Sequence, residues 1–540
     1  MINYTPASQL TFENFTTPFD QHLREDNRWV KLAAIIPWDH MARIYSSKLD
    51  PNSGRECVEI RTVLAAIIIK HRLKMSDRET VDSISENLYL QYFAGYPSFC
   101  SRPPFDASLF VDIRKRLGVE EFDKMTCVLL EEVEKAEQQG KKKNRPSKKN
   151  TDCDCEGQNQ NPDRPSQEDS DNPSPKADLP NKGKLKLDAT VCDQAITYPT
   201  DLKLVSGSRE ESERLIDELF ARLPLKTKPR TYRRIARKLY IGIAQNRNKS
   251  KTKIRKSLGQ QLRFLKRNLG HIEKLLDRFT GQRFPLNNRD QHIYWVIQHI
   301  YDQQAKMHKE KTRSCPDRIV NIYQPYVRPI VRGKDKNKVE FGAKIGVSEH
   351  DGFCRINHFS WDAYNECKDL VGQVEAYRNQ YGYWPEVVLA DRIYLNRENR
   401  KWLKQNGIRI SGKPLGRPPK EQLTAYQKRK QQKERNQRNH IEAKFGQGKN
   451  GYGLNYIRAR RSDTSKSWIS AIFFVMNLIN YGKAMSGKFI FWLKRLVIVT
   501  MHHVWRGQHR NIMQLTGGNK LSFKISLCVV GWGLEKIGKP

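Results

Sequence analysis

The chain has 540 residues, of which 38% are hydrophobic and 10% aromatic, and this supply of apolar side chains excludes wholesale disorder. Its 97 Lys and Arg residues outnumber 59 Asp and Glu residues, which gives a formal net charge of +38. An excess this large indicates a polyanionic partner, and nucleic acid is favoured over anionic lipid. The sequence contains no run of 18 apolar residues and no evident secretory signal, so we expect an intracellular protein without a membrane span.

The first 139 residues are predicted to form a globular helical domain. Apolar residues recur at helical spacing in the segments 61–70, 77–93 and 110–134. Several short helices with a basic surface are compatible with DNA binding, although no recognition residue is evident. Residues 140–183 lack almost all apolar side chains, so they are predicted to form a disordered linker that marks a domain boundary.

Strands and helices alternate beyond this linker. Strands are predicted from period-two patterns or short apolar runs at residues 184–198, 318–331, 339–347, 353–359, 386–390 and 408–411. Helices are predicted at residues 209–223, 361–381, 396–406, 422–447 and 468–481. This order predicts an α/β fold with a mixed sheet flanked by helices.

A strongly basic segment at about 225–317 interrupts this alternation. Between Lys226 and Arg283 there are 19 Lys and Arg residues but only two acidic residues, Glu273 and Asp277. Apolar residues at helical spacing within the segment predict a basic helical insertion. A solvated charged face is the simpler explanation of the composition, but like-charge repulsion on this scale favours contact with nucleic acid.

Three acidic residues are candidates for phosphoryl-transfer chemistry. Asp391 follows a short apolar strand, at the carboxyl end where open α/β sheets bind ligands. Asp188 lies on the polar face of the first strand after the linker, and Glu442 shares a helix face with Arg438. A turn cap, a solvated strand face and a surface ion pair would explain these residues equally well. Together, however, three carboxylates provide the oxygen ligands that Mg²⁺ prefers, and two such ions promote phosphodiester chemistry.

Seven sequence blocks, taken in order, carry a family resemblance. They are Leu187-Asp-Ala-Thr-Val, Tyr198-Pro-Thr-Asp, Arg332-Gly-Lys, Glu340-Phe-Gly-Ala-Lys, Tyr383–Tyr394, Ser411–Pro419 and Arg438–Phe445. They resemble the DDE transposases of bacterial insertion sequences, which have an RNase-H-like catalytic core. The last block contains part of the family signature Tyr-x2-Arg-x3-Glu-x6-Lys. Arg438, Glu442 and Lys449 match the Arg, Glu and Lys of this signature, whereas Arg435 occupies the Tyr position.

This resemblance implies an activity and its residues. Asp188, Asp391 and Glu442 would form the metal-binding and catalytic triad, with two Mg²⁺ ions for which Mn²⁺ can substitute. The enzyme would cleave double-stranded DNA at the element ends and transfer the freed 3′-hydroxyl into target DNA. A homo-oligomer on DNA is expected because two element ends must be brought together. The protein would lie in the cytoplasm, associated with the nucleoid. Residues 1–139 would be the N-terminal helical transposase domain, and residues 184–483 the RNase-H-like catalytic domain.

Three basic residues are candidates for contact with DNA or for orienting the triad. Arg438 would orient Glu442 or contact a phosphate. Lys449 would contact a phosphate or stay solvated, and the glycines around it predict that the helix ends before it. Arg417, in Gly416-Arg-Pro-Pro-Lys420, resembles a minor-groove hook, although a basic turn would explain this motif as well.

Two alternative functions stay open at this stage. The first is an inactive, transposase-derived DNA-binding protein, which the unrecognised C-terminal tail at 484–540 would suit. The second is an RNase-H-like nuclease that cuts DNA without strand transfer. The intact triad argues against the first. The sequence does not separate the second from a transposase, but analysis of the DNA products would.

Overall fold

The computed structural model describes residues 2–6, 22–52, 54, 56–142, 180–279, 283–331, 339–412 and 424–486. The chain divides into two compact units, Met1–Gly482 and Lys483–Pro540. Almost all of the second unit, including the unrecognised tail, lies outside the described residues. Most of the predicted linker, from residue 143 to residue 179, lies outside them as well.

The N-terminal part is helical, as predicted. Its helices are α1 (Arg28–Ile35), α2 (Trp38–Ser46), α3 (Ile60–Leu73), α4 (Asp77–Glu86), α5 (Leu88–Phe93), α6 (Leu109–Arg116) and α7 (Val119–Lys142). Side-chain caps fix several starts: Asn27 caps α1, and Ser76 forms a capping box with Glu79 at the start of α4. Helix α3 is buried from Ile60 to His71, so the other helices pack around it.

The second part contains a mixed sheet. Its strands are β1 (Lys184–Asp193), β2 (Arg328–Val331), β3 (Val339–His350), β4 (Phe353–Ser360), β5 (Val387–Ala390) and β6 (Arg409–Ser411). Strand β1 is central: it pairs antiparallel with β3 and parallel with β5, and β5 pairs parallel with β6. Both β2 and β4 pair with β3. A tight turn joins β3 to β4, with Asp351 at φ 46° and Gly352 at φ 87°.

Helices flank this sheet and fill the basic insertion, which confirms the predicted α/β fold class. They are α8 (Asp201–Ala221), α9 (Arg233–Ala244), α10 (Lys251–Leu276), α11 (Asn288–Glu310), α12 (Leu370–Tyr381), α13 (Arg397–Gln405), α14 (Ala425–Gly451) and α15 (462–486). The insertion shares an apolar core with α8, in which Leu215 of α8, Leu265 of α10 and Ile297 of α11 are fully buried. Its basic side chains can therefore face outward from a packed helical body.

Several predicted boundaries differ from the observed ones, and three of the differences have clear local causes. Residues 318–327 do not form a strand, because the side chain of Asn321 accepts hydrogen bonds from the backbone of Tyr323 and Gln324 and makes a turn. The helix predicted from residue 361 begins later, where Asn365 caps a short 3₁₀ turn ahead of α12. Helix α8 begins earlier than predicted, at Asp201, because Thr200 caps it.

The N-terminal helices pack directly against the sheet-containing part. The ring centroids of Phe122 on α7 and Phe474 on α15 lie 5.6 Å apart. The buried side chain of Asn477 on α15 accepts from the Cys354 backbone N–H at 2.8 Å and donates to its carbonyl at 2.7 Å. None of the helices in the described ranges is both long and apolar enough to span a membrane.

Candidate active site

Asp188 lies on β1, and Asp391 directly follows the neighbouring strand β5. In the parallel pairing of β1 with β5, Leu187 is the partner of Ala390, and each aspartate is the next residue along its strand. Strand β5 ends there, and Asp391 caps the following turn by accepting a hydrogen bond from the Arg392 N–H at 2.7 Å. The structure thus brings two of the three predicted carboxylates to the carboxyl end of β5, where α/β sheets commonly bind ligands.

Asp188 is half-buried and electrostatically perturbed. Its Oδ1 accepts a hydrogen bond from the Ala189 N–H at 2.8 Å. Burial, together with the negative charges of Glu366 and Glu442, raises the pKa of this carboxyl to about 6, although the Ala189 N–H and Arg438 oppose the increase. A carboxylate in this environment is stabilised by a nearby cation, which is the electrostatic requirement of a metal ligand.

Glu442 reaches the site from α14. This helix packs against β1 and β5 through the buried side chains of Ile441 and Phe445, and Glu442 itself is exposed. Its Oε1 lies 2.8 Å from Nη2 of Arg438, one helical turn earlier. Arg438 therefore contacts Glu442, as both an orienting role and a simple surface ion pair would require.

The predicted ligands have suitable chemistry but do not form a closed cluster. Among the described residues, no three His, Cys, Asp or Glu side chains are grouped closely enough to hold a metal ion. The carboxylate of Glu442 forms an ion pair with Arg438. The donor set of Asp188, Asp391 and Glu442 consists of carboxylate oxygens alone, which suits Mg²⁺ or Mn²⁺ rather than softer metals.

The prediction that the helix ends before Lys449 was wrong. Helix α14 continues to Gly451, and Lys449 is half-buried with its Nζ 3.9 Å from Oε1 of Glu340. Gly448 does not break the helix but permits close packing, because a Cβ there would lie 3.1 Å from Leu454 and 3.3 Å from Met476. The other predicted DNA contact, Arg417, lies outside the described residues.

A fourth carboxylate near Asp188 was missed by the sequence analysis. Glu366 lies just before α12, and its Oε1 is 2.9 Å from Nζ of Lys344 on β3. Its charge is close enough to raise the pKa of Asp188. Glu366 belongs to none of the recognised blocks, and only Lys344, its partner, lies within one of them.

Two segments of the chain match models of known domain families. Residues 388–479, which include Asp391 and Glu442, match a transposase DDE domain, and residues 17–116 match a transposase domain (DUF772). These matches agree with the resemblance found in the sequence, because both segments are similar to domains of transposases. They support DNA transposase function in general.

One curated relative is similar over a short segment. The uncharacterized protein ORF8 in the nfe locus of Rhizobium meliloti is 35% identical over 89 residues, which are 16% of this chain and 42% of that protein. The chain thus spans less than half the length of this relative, whose name states no activity. No solved structure matches the chain.

Proposed function

We propose that the protein is a DNA transposase that cleaves phosphodiester bonds at the ends of an insertion element and transfers the freed 3′-hydroxyl into target DNA. The observation that carries this proposal is the pairing of Leu187 with Ala390, which sets Asp188 beside Asp391. Asp391 also lies within the segment that matches a transposase DDE domain. Glu442, in the same segment, would complete the triad.

The triad residues would hold Mg²⁺, with two ions expected and Mn²⁺ able to substitute. Bound in pairs, such ions activate an attacking oxygen and stabilise the leaving oxygen of an in-line displacement. The half-buried carboxylate of Asp188 would attract a cation strongly, because charge interactions strengthen as solvent is excluded. Arg438 would hold Glu442 in place, and its remaining N–H groups could donate to a phosphate.

Basic surfaces would hold the DNA around this centre. Helix α9 carries Arg233, Arg234, Arg237 and Lys238, and only Ala236 of the whole helix is buried. Such a helix attracts the backbone of double-stranded DNA, and its binding weakens as salt increases. The same proposal includes contacts of Lys449 and Arg417 with DNA. It also includes assembly of a homo-oligomer on two element ends and association with the nucleoid.

The test uses labelled duplex DNA taken from the sequence that flanks the gene. Wild-type protein with Mg²⁺ should yield cleaved and joined strands, whereas Asp391→Asn should lose both products by about 10³-fold or more, as expected when a central transition-state group is removed. Asp362→Asn is the matched control, because this exposed carboxylate lies outside the triad. Asp188→Asn and Glu442→Gln should behave like Asp391→Asn.

The products decide among the three functions. Cleaved strands that are never joined would identify a nuclease. Salt-sensitive binding without cleavage in the wild type would identify an inactive DNA-binding protein. Unchanged cleavage by Asp391→Asn would contradict the assignment of the triad.

A further inference from the structure

A basic cleft of about 360 Å³ lies between the C-terminal ends of α3 and α14. We call it the α3–α14 cleft. Its charged lining residues are Lys70, Lys74, Lys449 and Arg458, and its rings include Tyr456 and Trp468. None of the described residues that line it is Asp or Glu. A cleft with several cations and no acidic lining residue is complementary to an anion.

Lys70 lies in the wall of the cleft with incomplete charge compensation. Its Nζ is 2.8 Å from Oδ1 of Asp77 and 4.2 Å from the ring centroid of Trp468. Asp77 also pairs with Arg114, so one carboxylate serves two cations. Burial and the positive charges of Arg114 and Arg458 lower the pKa of Lys70 to about 8, although Asp77 opposes them. The surroundings of Lys70 are therefore net positive.

The rim of the cleft adds cations from both sides. Lys74, in the left-handed conformation at the end of α3, donates a hydrogen bond from its Nζ to the Asn450 carbonyl near the end of α14. Across the rim, the guanidinium carbon of Arg458 lies 5.3 Å from the ring centroid of Tyr456. Tyr456 is 56% exposed, so much of its ring is open to an incoming group. Cations interleaved with exposed rings are typical of nucleic-acid surfaces.

We propose that the α3–α14 cleft binds the phosphate backbone of the DNA strand that leaves the active site. This inference depends on the proposed function. Lys449 follows Glu442 by seven residues on the same helix, so it lies about 10 Å further along the axis. That distance corresponds to about three nucleotides of a duplex strand. The N-terminal helices would thus supply the exposed Lys74 to a DNA path that begins at the catalytic domain, with the buried Lys70 adding positive charge behind it.

The experiment measures how DNA binding depends on salt. Fluorescence anisotropy with a labelled element-end duplex, without divalent metal, compares the wild type with the double variant Lys74→Ala/Arg458→Ala. Each phosphate contact makes the slope of log K against log salt more negative by about 0.9. The slope of the double variant should therefore be less steep than that of the wild type by about 2. The matched control Lys31→Ala/Arg43→Ala removes the same charge from exposed positions of α1 and α2 and should keep the wild-type slope.

Each outcome has a defined meaning. The proposal that the cleft binds DNA would be overturned if the wild type and the double variant had equal slopes. It would also be overturned if the control variant lost as much slope as the double variant. If the double variant does not fold, the single variant Arg458→Ala is used, and its salt slope should be less steep than that of the wild type by about 0.9. An unchanged slope of this variant would overturn the proposal in the same way. Failure of wild-type protein to bind any element-end DNA would instead overturn the proposed function. Retained binding with no cleavage in the wild type would overturn the transposase activity and, with it, the assignment of the bound strand as one that leaves an active site.

Discussion

Arg355 on β4 and Asp123 on α7 form a two-pronged ion pair across the contact between the sheet and the N-terminal helices. The distance from Nε to Oδ1 is 2.8 Å and that from Nη2 to Oδ2 is 2.6 Å. Both side chains are largely buried, with 20% and 32% exposed. Parallel hydrogen bonds of this kind fix the orientation of two elements as well as their distance.

Replacing Arg355 with Ala should therefore destabilise the protein. The loss leaves the Asp123 carboxylate without its bidentate partner, and we expect the free energy of unfolding to fall by about 2 kcal/mol. Urea unfolding followed by tryptophan fluorescence would measure the change. Arg397→Ala, at an exposed position of α13, should stay within about 0.5 kcal/mol of the wild type. Equal stability of the two variants would contradict the structural role of the pair.

Gly346 on β3 should not tolerate a side chain. A Cβ at this position would lie 2.7 Å from Oδ2 of Asp369, 3.1 Å from the Tyr364 hydroxyl and 3.2 Å from Nε2 of Gln373. Overpacking of this kind typically costs 1–3 kcal/mol, so Gly346→Ala should lower the urea midpoint by a corresponding amount.

The control for this substitution should change stability in the opposite direction. Gly372 lies within α12, and a Cβ there would meet no atom within 4 Å. Gly372→Ala should therefore stabilise the protein by about 0.5–1 kcal/mol through helix propensity. A neutral or stabilising Gly346→Ala would show that the polar groups around Gly346 can move apart.

His71 should make stability sensitive to acid. Burial, together with the positive charges of Lys70 and Arg114, holds the pKa of His71 well below its ordinary value of 6.5. Below pH 6.5 the unfolded chain thus binds a proton that the folded chain does not, and stability falls as the pH falls. At pH 5 this effect amounts to at most about 2 kcal/mol.

The measurement compares urea unfolding at pH 7 and pH 5. His71→Phe retains a ring that can meet Trp468, whose centroid lies 5.6 Å from that of His71, but cannot be protonated. This variant should lose up to about 2 kcal/mol less than the wild type on acidification. His40→Phe, at an exposed position of α2, should keep the wild-type response. The prediction fails if His71→Phe and the wild type respond identically.

Arg438 offers a test that separates its two possible roles. If it orients Glu442, Arg438→Gln should lower cleavage by about 10- to 100-fold, as is typical of groups that support metal ligands. The salt dependence of DNA binding should then be unchanged. If it contacts a phosphate, the same variant should lose about 0.9 from the salt slope. Arg435→Gln is the matched control, because Arg435 is exposed on the same helix.

Much of the fold could be predicted because local patterns and packing agree. The alternation around Asp188 and the apolar run before Asp391 predict β1 and β5, and both strands are present. The errors occur where one side chain redirects the backbone, as Asn321 does by its turn. Lys449 was misplaced because glycines usually end helices, whereas Gly448 is required by tertiary packing against Leu454.

The candidate site was predicted less completely. The proximity of Asp188 and Asp391 depends on the pairing of two strands, and the register of that pairing is not written in either strand alone. Glu366 could not be found because its proximity to Asp188 arises only when the segment before α12 folds onto the sheet. Such long-range contacts carry no local pattern.

The pairing of β1 with β5 also has a consequence for synthesis on the ribosome. Asp188 and Asp391 are 203 residues apart in the chain, and the basic insertion lies between them. Translation proceeds at about 5–20 residues per second, so β5 is synthesised about 10–40 s after β1. Helices α8, α10 and α11 share an apolar core and are complete well before that time. The insertion can therefore fold while the two aspartates are still separated, and the nascent protein brings Asp188 and Asp391 together late.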